Sequence, residues 1–500
     1  MSATTSTTPM AVIDFDEIPN GYLVPGSYTE IKPLYTNSGL NARPSRILVV
    51  GQGLAGKQLS RVVNVQQAAQ CDAFFGEGSM ASVMAQAALE ANPFTPIDVF
   101  AVPDATSSTK ASGTVTLSGE PLVATTAYYT IADVTVSFPV DPATTPSAWA
   151  ASLVAAVAQA TDLPVTAVQG TGASAATVTF TAIHGGACGN DIYLGANYRD
   201  DQIVDGLVCT TVAMTGGSGN PSLATVFTAV AAKLYTGFII PWTDSTNLTA
   251  LFTEAARRYN AMVKLDAHFY IAFNQGYAAL CTTGPTMNCQ WLSAFGSTGR
   301  PTPPWKFAAI AGAVAEFNLA NDPSRQLRGL TLTGLLPPRD GDQFTDEERN
   351  QLLQVGISTT TVNPDGTEVF ERVVTTSQLT PEGVPTTAWR DIMTPKTMTA
   401  IRYDWNTYME QTYPQAKLSD DGSVAATYGT NVITPKRAQA SWGARCTLYE
   451  QQGWIEDVAT TAPQSVFTRN AGDRNRLDSQ LAVQVIGALI ILANSLQFEA

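Results

Sequence analysis

Histidine is almost missing: His184 and His268 are the only two in 500 residues. That excludes the usual zinc arrays and leaves few general bases of the ordinary kind. The six cysteines, Cys71, Cys188, Cys209, Cys281, Cys289 and Cys446, form no CxxC pair and no short Cys/His array, so no metal site is expected. Charge is scarce as well. Lys, Arg, Asp and Glu together make up 14% of the chain, where soluble proteins run nearer to about 25%. Basic charge is the scarcest: 28 Lys and Arg against 42 Asp and Glu leave a net charge of −14. A chain this acidic is poorly suited to nucleic acid or to an anionic membrane. Long apolar runs are absent too. The longest, Val485 to Ala493, falls far short of the ~18 residues needed to span a bilayer, so no membrane insertion is expected. The opening MSATTSTTPMAVIDFDEIP has no basic n-region and no apolar h-region and does not read as a signal peptide. Cytoplasmic synthesis with reduced thiols is the expectation.

What is present is apolar and neutral. Hydrophobic residues reach 45%, too many for a disordered chain. At roughly 150 residues per domain the length suggests about three domains. A surface of Thr, Ser, Ala and Gly in place of Lys and Glu suits a subunit covered by its neighbours, because interface cores are depleted of charge. A sparsely charged monomer fits the composition equally.

The hydrophobic pattern divides the chain. Residues 1–45 read as an extended arm and linker, with Ile13, Phe15 and Ile18 in a weakly alternating stretch that lacks a local strand partner. Arg46 to Val50 is a buried-strand run. Ser79 is an N-cap for a helix with Met80, Val83, Met84, Ala87 and Ala88 on one face, ended by Asn92-Pro93. Ile97 to Val102 is the next strand, so 46–103 reads as the first part of an α/β domain. Residues 104–220 change texture: short alternating Thr/Val/Ala runs between turns, with one helix near Ser147 to Ala160, indicate an inserted β-rich domain. The α/β pattern resumes over 221–340, with a helix from Ser222 and strands at Gly237 and His268. Over 341–493, Thr345 and Glu348 form a capping box and Asn363 to Gly366 a turn between two strands. Residues 477–492 fit helix and strand equally. The last segment, 494–500, alternates Leu496 and Phe498 with Gln497 and Glu499, a period-2 arm. The fold class is α/β (mixed α+β) and multi-domain.

One motif points toward nucleotides. In ILVVGQGLAGKQ, Gly51, Gly53 and Gly56 spell G-x-G-x-x-G after a strand, and with Lys57 they approach a Walker A loop. The details fit neither. Gln58 stands where Walker chemistry needs a hydroxyl for magnesium. The next residues, KQLSRVVNV, lack an apolar helical face, and Asp72 sits in a helix-like stretch and not at the end of a strand. The glycines then serve to turn the chain out of a buried strand. Elsewhere, His184 has Cys188 four residues on but no acidic partner close in sequence, and His268 reads as a packed strand histidine. No nucleophile, base and orienter converge, so no catalytic residues and no cofactor are expected.

Several segments occur in an order that resembles the Mu-like family of contractile phage tail sheath proteins, from about Val12 to Ala500. They are FGEGSMASVMAQAALEANP, GGSGNP, LANDPSRQLRGLTLTGLLPP, RNQLLQVGISTTTVNPDGTEVFERVVTT, AKLSDDG, ITPKRAQA and DRNRLD. One departure is Ser377, where an aromatic residue is expected after the paired threonines. The resemblance implies a homo-oligomer of stacked rings or a helical sheath around a tail tube protein, bounded by baseplate and tail terminator proteins. It implies an inner α/β domain near the tube, insertions further out, and arms at Ile13, Phe15, Ile18, Leu496 and Phe498 that pair with neighbouring subunits. Contraction would drive the tube through the host envelope, in a virion assembled in the host cytoplasm. A nucleotide enzyme using the Gly51–Lys57 loop, and a β-rich surface adhesin suggested by 104–220, are the competing readings.

Overall fold

The computed structural model describes residues 25–27, 29 and 39–497. Packing divides the chain into two units, 1–41 and 42–500. The described residues of the first unit form no helix or strand. Ile13, Phe15, Ile18 and Phe498 lie outside the described residues.

In the second unit the chain enters through β1 (Ile47–Gln52), β2 (Val62–Val65), α1 (Ala68–Phe75), α2 (Met80–Ala91) and β3 (Ile97–Val102). β1 is buried along its whole length, which explains its unbroken apolar run: covering on both faces leaves no polar side. Ser79 caps α2 by accepting from the Ser82 N–H, as the sequence suggests.

Residues 104–220 contribute β4 (Lys110–Gly119), β5 (Thr125–Ile131), β6 (Val134–Val140), α3 (Pro146–Gln159), β7 (Val165–Gln169), β8 (Thr177–Gly185), β9 (Leu194–Ala196) and β10 (Leu207–Thr215). They form two antiparallel sheets, ordered β10-β4-β8-β7 and β6-β5-β9. Inward residues of both sheets and Trp149, Leu153 and Val157 of α3 share one core, in which Tyr129 stacks on Phe180 at 5.7 Å. The opposite face of the larger sheet is open. Val212, Thr114, Thr179 and Val168 make one row across it, Thr210, Thr116 and Thr177 a second, and Ser112, Thr181 and Thr166 a third.

The chain then returns through α4 (Leu223–Ala229), β11 (Gly237–Ile239), α5 (Ser245–Tyr259), β12 (His268–Asn274), α6 (Tyr277–Thr283), β13 (Leu292–Ser297), α7 (Pro304–Asn321), α8 (Asp346–Gln354), β14 (Ile357–Val362) and β15 (Glu368–Arg372). Together with β1–β3 this builds an eight-stranded sheet, β15-β14-β13-β12-β11-β1-β3-β2. The six inner strands are parallel, and β2 and β15 run antiparallel at the edges. The α/β sheet therefore runs past the limit expected at residue 340. The hairpin at Asn363–Gly366 feeds β14 and β15 back onto it, and Leu352, Ile357, Phe370 and Ile392 all join its core. α7 is apolar on most of its surface, Glu316 and Asn318 excepted, because nearly all of it is buried. Its Gly312 lets the backbone approach the sheet: a Cβ there would lie 3.0 Å from Ile239 and 3.1 Å from Tyr270.

The remainder is α9 (Met393–Thr412), β16 (Lys417–Leu418), α10 (Val424–Tyr428), β17 (Val432–Ile433), α11 (Pro435–Gln451), β18 (Ile455–Glu456), α12 (Val458–Thr461), β19 (Val466–Arg469), β20 (Leu477–Gln480) and β21 (Gln484–Val485). The segment left open between helix and strand is thus two short strands, and residues 486–497 have no regular structure. An aromatic group holds this part together: Trp405 meets Trp442 edge-on at 5.1 Å and Phe467 at 6.3 Å. Beside it the buried Asp404 accepts from Arg445 Nε at 3.0 Å and from the Tyr449 hydroxyl at 2.6 Å. α9 is tied back to the α/β sheet by Lys396, which pairs with the buried Glu316 of α7, itself the acceptor of the Tyr270 hydroxyl at 2.8 Å.

Candidate functional site

In open α/β sheets ligands bind beyond the carboxyl ends of the strands, where strand order reverses. Here that point lies between β1 and β11, and the glycine loop stands at it. The loop is built for packing. A Cβ on Gly51 would sit 2.8 Å from the Cα of Ala81, and one on Gly53 would sit 2.7 Å from Leu59 and 3.1 Å from Ala101. Gly56 turns the chain with φ +80°. A phosphate cradle needs free backbone N–H groups and a helix start. The Gly53, Leu54 and Gln58 N–H groups instead donate to the carbonyls of Val102, Phe75 and Phe74, at 3.0, 2.9 and 2.8 Å. The element after the loop is the strand β2 and not a helix, and Lys57 Nζ donates to the Ala73 carbonyl at 3.3 Å.

The crevice itself is filled by residues 104–220. The Gln52 amide at the end of β1 donates to Asp104 Oδ1 and to the Gly185 carbonyl, both at 2.7 Å. Asp104 also accepts from the Gly185 N–H at 2.8 Å and lies 2.7 Å from His184 Nδ1. Burial pushes the Asp104 carboxyl up, but the bonds from His184, Gly185 and Gln52 outweigh it and hold the group below the usual carboxylate range. Cys188 donates to the Pro241 carbonyl just beyond β11, and burial raises its thiol, so it is not a poised nucleophile. About 20 Å³ remains open among Gln52, His184, Cys188 and Trp305. That is room for one water molecule and too little for a nucleotide. The acidic partner of His184, which sequence inspection missed, lies 80 residues away, beyond the reach of any local motif.

A second cavity among the described residues holds charges that are already engaged. A cleft of about 200 Å³ near Thr298, Phe344 and Thr360 contains Arg300 and Arg349. Arg300 is paired with the buried Glu368 at 2.5 Å, and Arg349 with Glu371 at 3.0 Å and Asp346 at 2.5 Å, so these charges serve one another. His268 is buried, lies 2.9 Å from the Ser293 hydroxyl and is held well below the usual histidine range by burial and then by Lys396. Among the described residues no group of three His, Cys, Asp or Glu is placed to hold a metal, and no helix is long and apolar enough to cross a membrane. Ser377 is buried, as are Thr375 and Thr376 before it, and its N–H donates to the Thr375 hydroxyl at 3.2 Å.

The C-terminal segment carries exposed apolar side chains. Leu489, Ile491, Leu492 and Leu496 are 71, 79, 71 and 94% exposed. The exposed apolar stretch begins near Ile486, well before the arm expected at 494. Leu496 is in no strand of its own chain.

Residues 216–376 match the family model of the phage tail sheath protein central domain. The Mu-like prophage FluMu tail sheath protein of Haemophilus influenzae is 27% identical over 489 residues, 97% of this chain and 99% of the relative. The chain thus carries the central domain of phage tail sheath proteins over 216–376 and is similar to a Mu-like tail sheath protein over nearly its whole length. It is a structural subunit of a contractile sheath and a component of a phage tail, and the nucleotide-enzyme reading falls away. Solved sheath proteins are also similar to it. The sheath tail protein of Listeria innocua matches with a TM-score of 0.48 at 9% identity, covering 90% of this chain and 94% of its own. The contracted helical sheath of the anti-feeding prophage matches with a TM-score of 0.46 at 11% identity, covering 96% and 99%.

Proposed function

We propose that this sheath protein polymerises around a tail tube protein, between baseplate and terminator proteins, and that contraction of the polymer drives the tube through a host envelope. Assembly takes place in the host cytoplasm. The observation that carries the reading is the identity to a Mu-like tail sheath protein over nearly the whole of both chains. Coupling between subunits runs through the arms, with Ile13, Phe15 and Ile18 at one end and Leu496 and Phe498 at the other. The exposed apolar residues from Ile486 to Leu496 support this, since such a strand on a lone chain invites pairing with a foreign sheet. Residues 104–220 act as a separately folded peripheral domain, and the C-terminal sheath domain, 341–493, lies on the tube side. Energy is held in the assembled lattice without nucleotide hydrolysis. Negative-stain microscopy of the purified protein tests the reading. Tubes or stacked rings are expected; a persistent monomer that binds ATP would overturn it.

A further inference from the structure

Residues 104–220 hold two basic side chains, Lys110 and Arg199, against nine carboxylates, a net charge of −7 and half of the chain's −14. All nine carboxylates, from Asp104 to Asp205, lie in connections and none lies on a strand. No strand residue on the two sheet faces that point away from the shared core is therefore acidic. One is the threonine face, where Val168, Val208 and Val212 are 65, 52 and 57% exposed. The other is the outer face of β5 and β6, where Thr126 pairs with Pro139 and Tyr128 with Ser137. At its margin a cleft of about 400 Å³ opens between Tyr128, Ser137, Tyr198 and Arg199; its wall includes Asp133, whose carboxylate is paired with Lys306 at 2.7 Å.

We infer that these two faces are the front and back of one contact between copies of this chain, the threonine face of one subunit seated on the β5–β6 face of the next. The inference rests on the sheath function proposed for the chain. Crowding many copies brings their acidic segments together, and like charges within a Debye length of about 8 Å repel. The acid-bearing loops cannot meet one another without that cost, whereas neutral β-branched surface can be covered freely. A polar tube cannot pair a face with itself, because an isologous contact reverses direction. A front-to-back contact repeats without reversing and so propagates around a ring or along a helix. Exposed valines on a sheet with no cover in its own chain supply the apolar area.

The test is assembly of the full chain carrying Val168→Glu and Val212→Glu. Both positions are exposed, so the monomer should fold with an unchanged circular dichroism spectrum. Tubes should become several-fold shorter or fail to form. Leu122→Glu with Val123→Glu adds the same charge to the same segment but off both faces, and should leave tube length unchanged. Equal shortening by the two pairs would reduce the effect to net charge and overturn the contact, as would full-length tubes from the first pair. A chain carrying Tyr128→Cys and Val212→Cys gives a second reading. Oxidised in the tube, it should run as a covalent ladder without reductant, and a single monomer band would sink the inference. Wild-type protein that forms no tube under the same conditions would instead remove the sheath function on which the contact rests.

Discussion

Gly51 and Lys57 stand in one motif but answer to different physics. Gly51 is fixed by a neighbouring helix, since a Cβ would press on Ala81 at 2.8 Å from its Cα and 3.0 Å from its nitrogen. Gly51→Ala should therefore cost about 1–3 kcal/mol, as overpacking usually does, seen as a lower urea midpoint. Lys57 Nζ donates to the Ala73 carbonyl at the surface, so Lys57→Ala should leave assembly unchanged, and calorimetry with ATP or NAD should show no heat of binding. Micromolar binding that disappears in Lys57→Ala would contradict both the packing argument and the crevice geometry. Asp191 supplies a pH test. Burial raises its carboxyl from the ordinary 3.8 to about 6. The fold thus favours the protonated form, and the unfolded chain gives up its proton first as pH rises. Stability from this group is present below pH 3.8, is lost between 3.8 and about 6, and stays lost above. Asp191→Asn, which cannot ionise, should raise the melting temperature at pH 7, with the gain fading toward pH 4.

At the scale of elements, what the sequence made legible was whatever is settled locally. The Ser79 cap, the Thr345–Glu348 capping box and the buried run of β1 each depend on residues within a few positions, and all stand as read. What stayed unread is long-range. Residues 477–492 carry no local preference, and their two short strands are decided by partners at Val466–Arg469 and Ile455–Glu456. The boundary at 340 failed because β14 gains its place only by pairing with β13, which no periodicity reveals. The same applies to the brace between α9 and α11, where Asp404 and Arg445 are 41 residues apart. That pair is buried and shares Tyr449, so removing the carboxylate takes the acceptor from both Arg445 and Tyr449. Asp404→Ala should cost roughly 3–5 kcal/mol and release the Trp405–Trp442 packing, read as a loss of near-UV circular dichroism with the far-UV signal largely kept. A variant as stable as wild type in urea would show that the brace is dispensable.

At the scale of the whole molecule, a contractile lattice needs contacts that survive while rigid bodies move, and the packing within the subunit supplies such a body. The sheet, the double-sheet segment and the aromatic C-terminal part each bury their own residues. One stretch left largely without cover is Ile486 to Leu496, where Leu489, Ile491, Leu492 and Leu496 stand exposed. Net hydrogen bonds of about 0.5–1.5 kcal/mol each would let a short strand hold a neighbour by several kcal/mol and still pivot. Removal of residues 1–20, or of 486–500, should therefore abolish long tubes while the monomer keeps its far-UV signal apart from the lost segment. The two deletions separate coupling from folding, because neither Ile13, Phe15 and Ile18 nor Leu496 and Phe498 is then required by the subunit's own core. A double deletion that still assembles into regular tubes would place the coupling in the domain faces, the threonine face first among them. A deletion that unfolds the monomer would make that terminus part of its own subunit's structure.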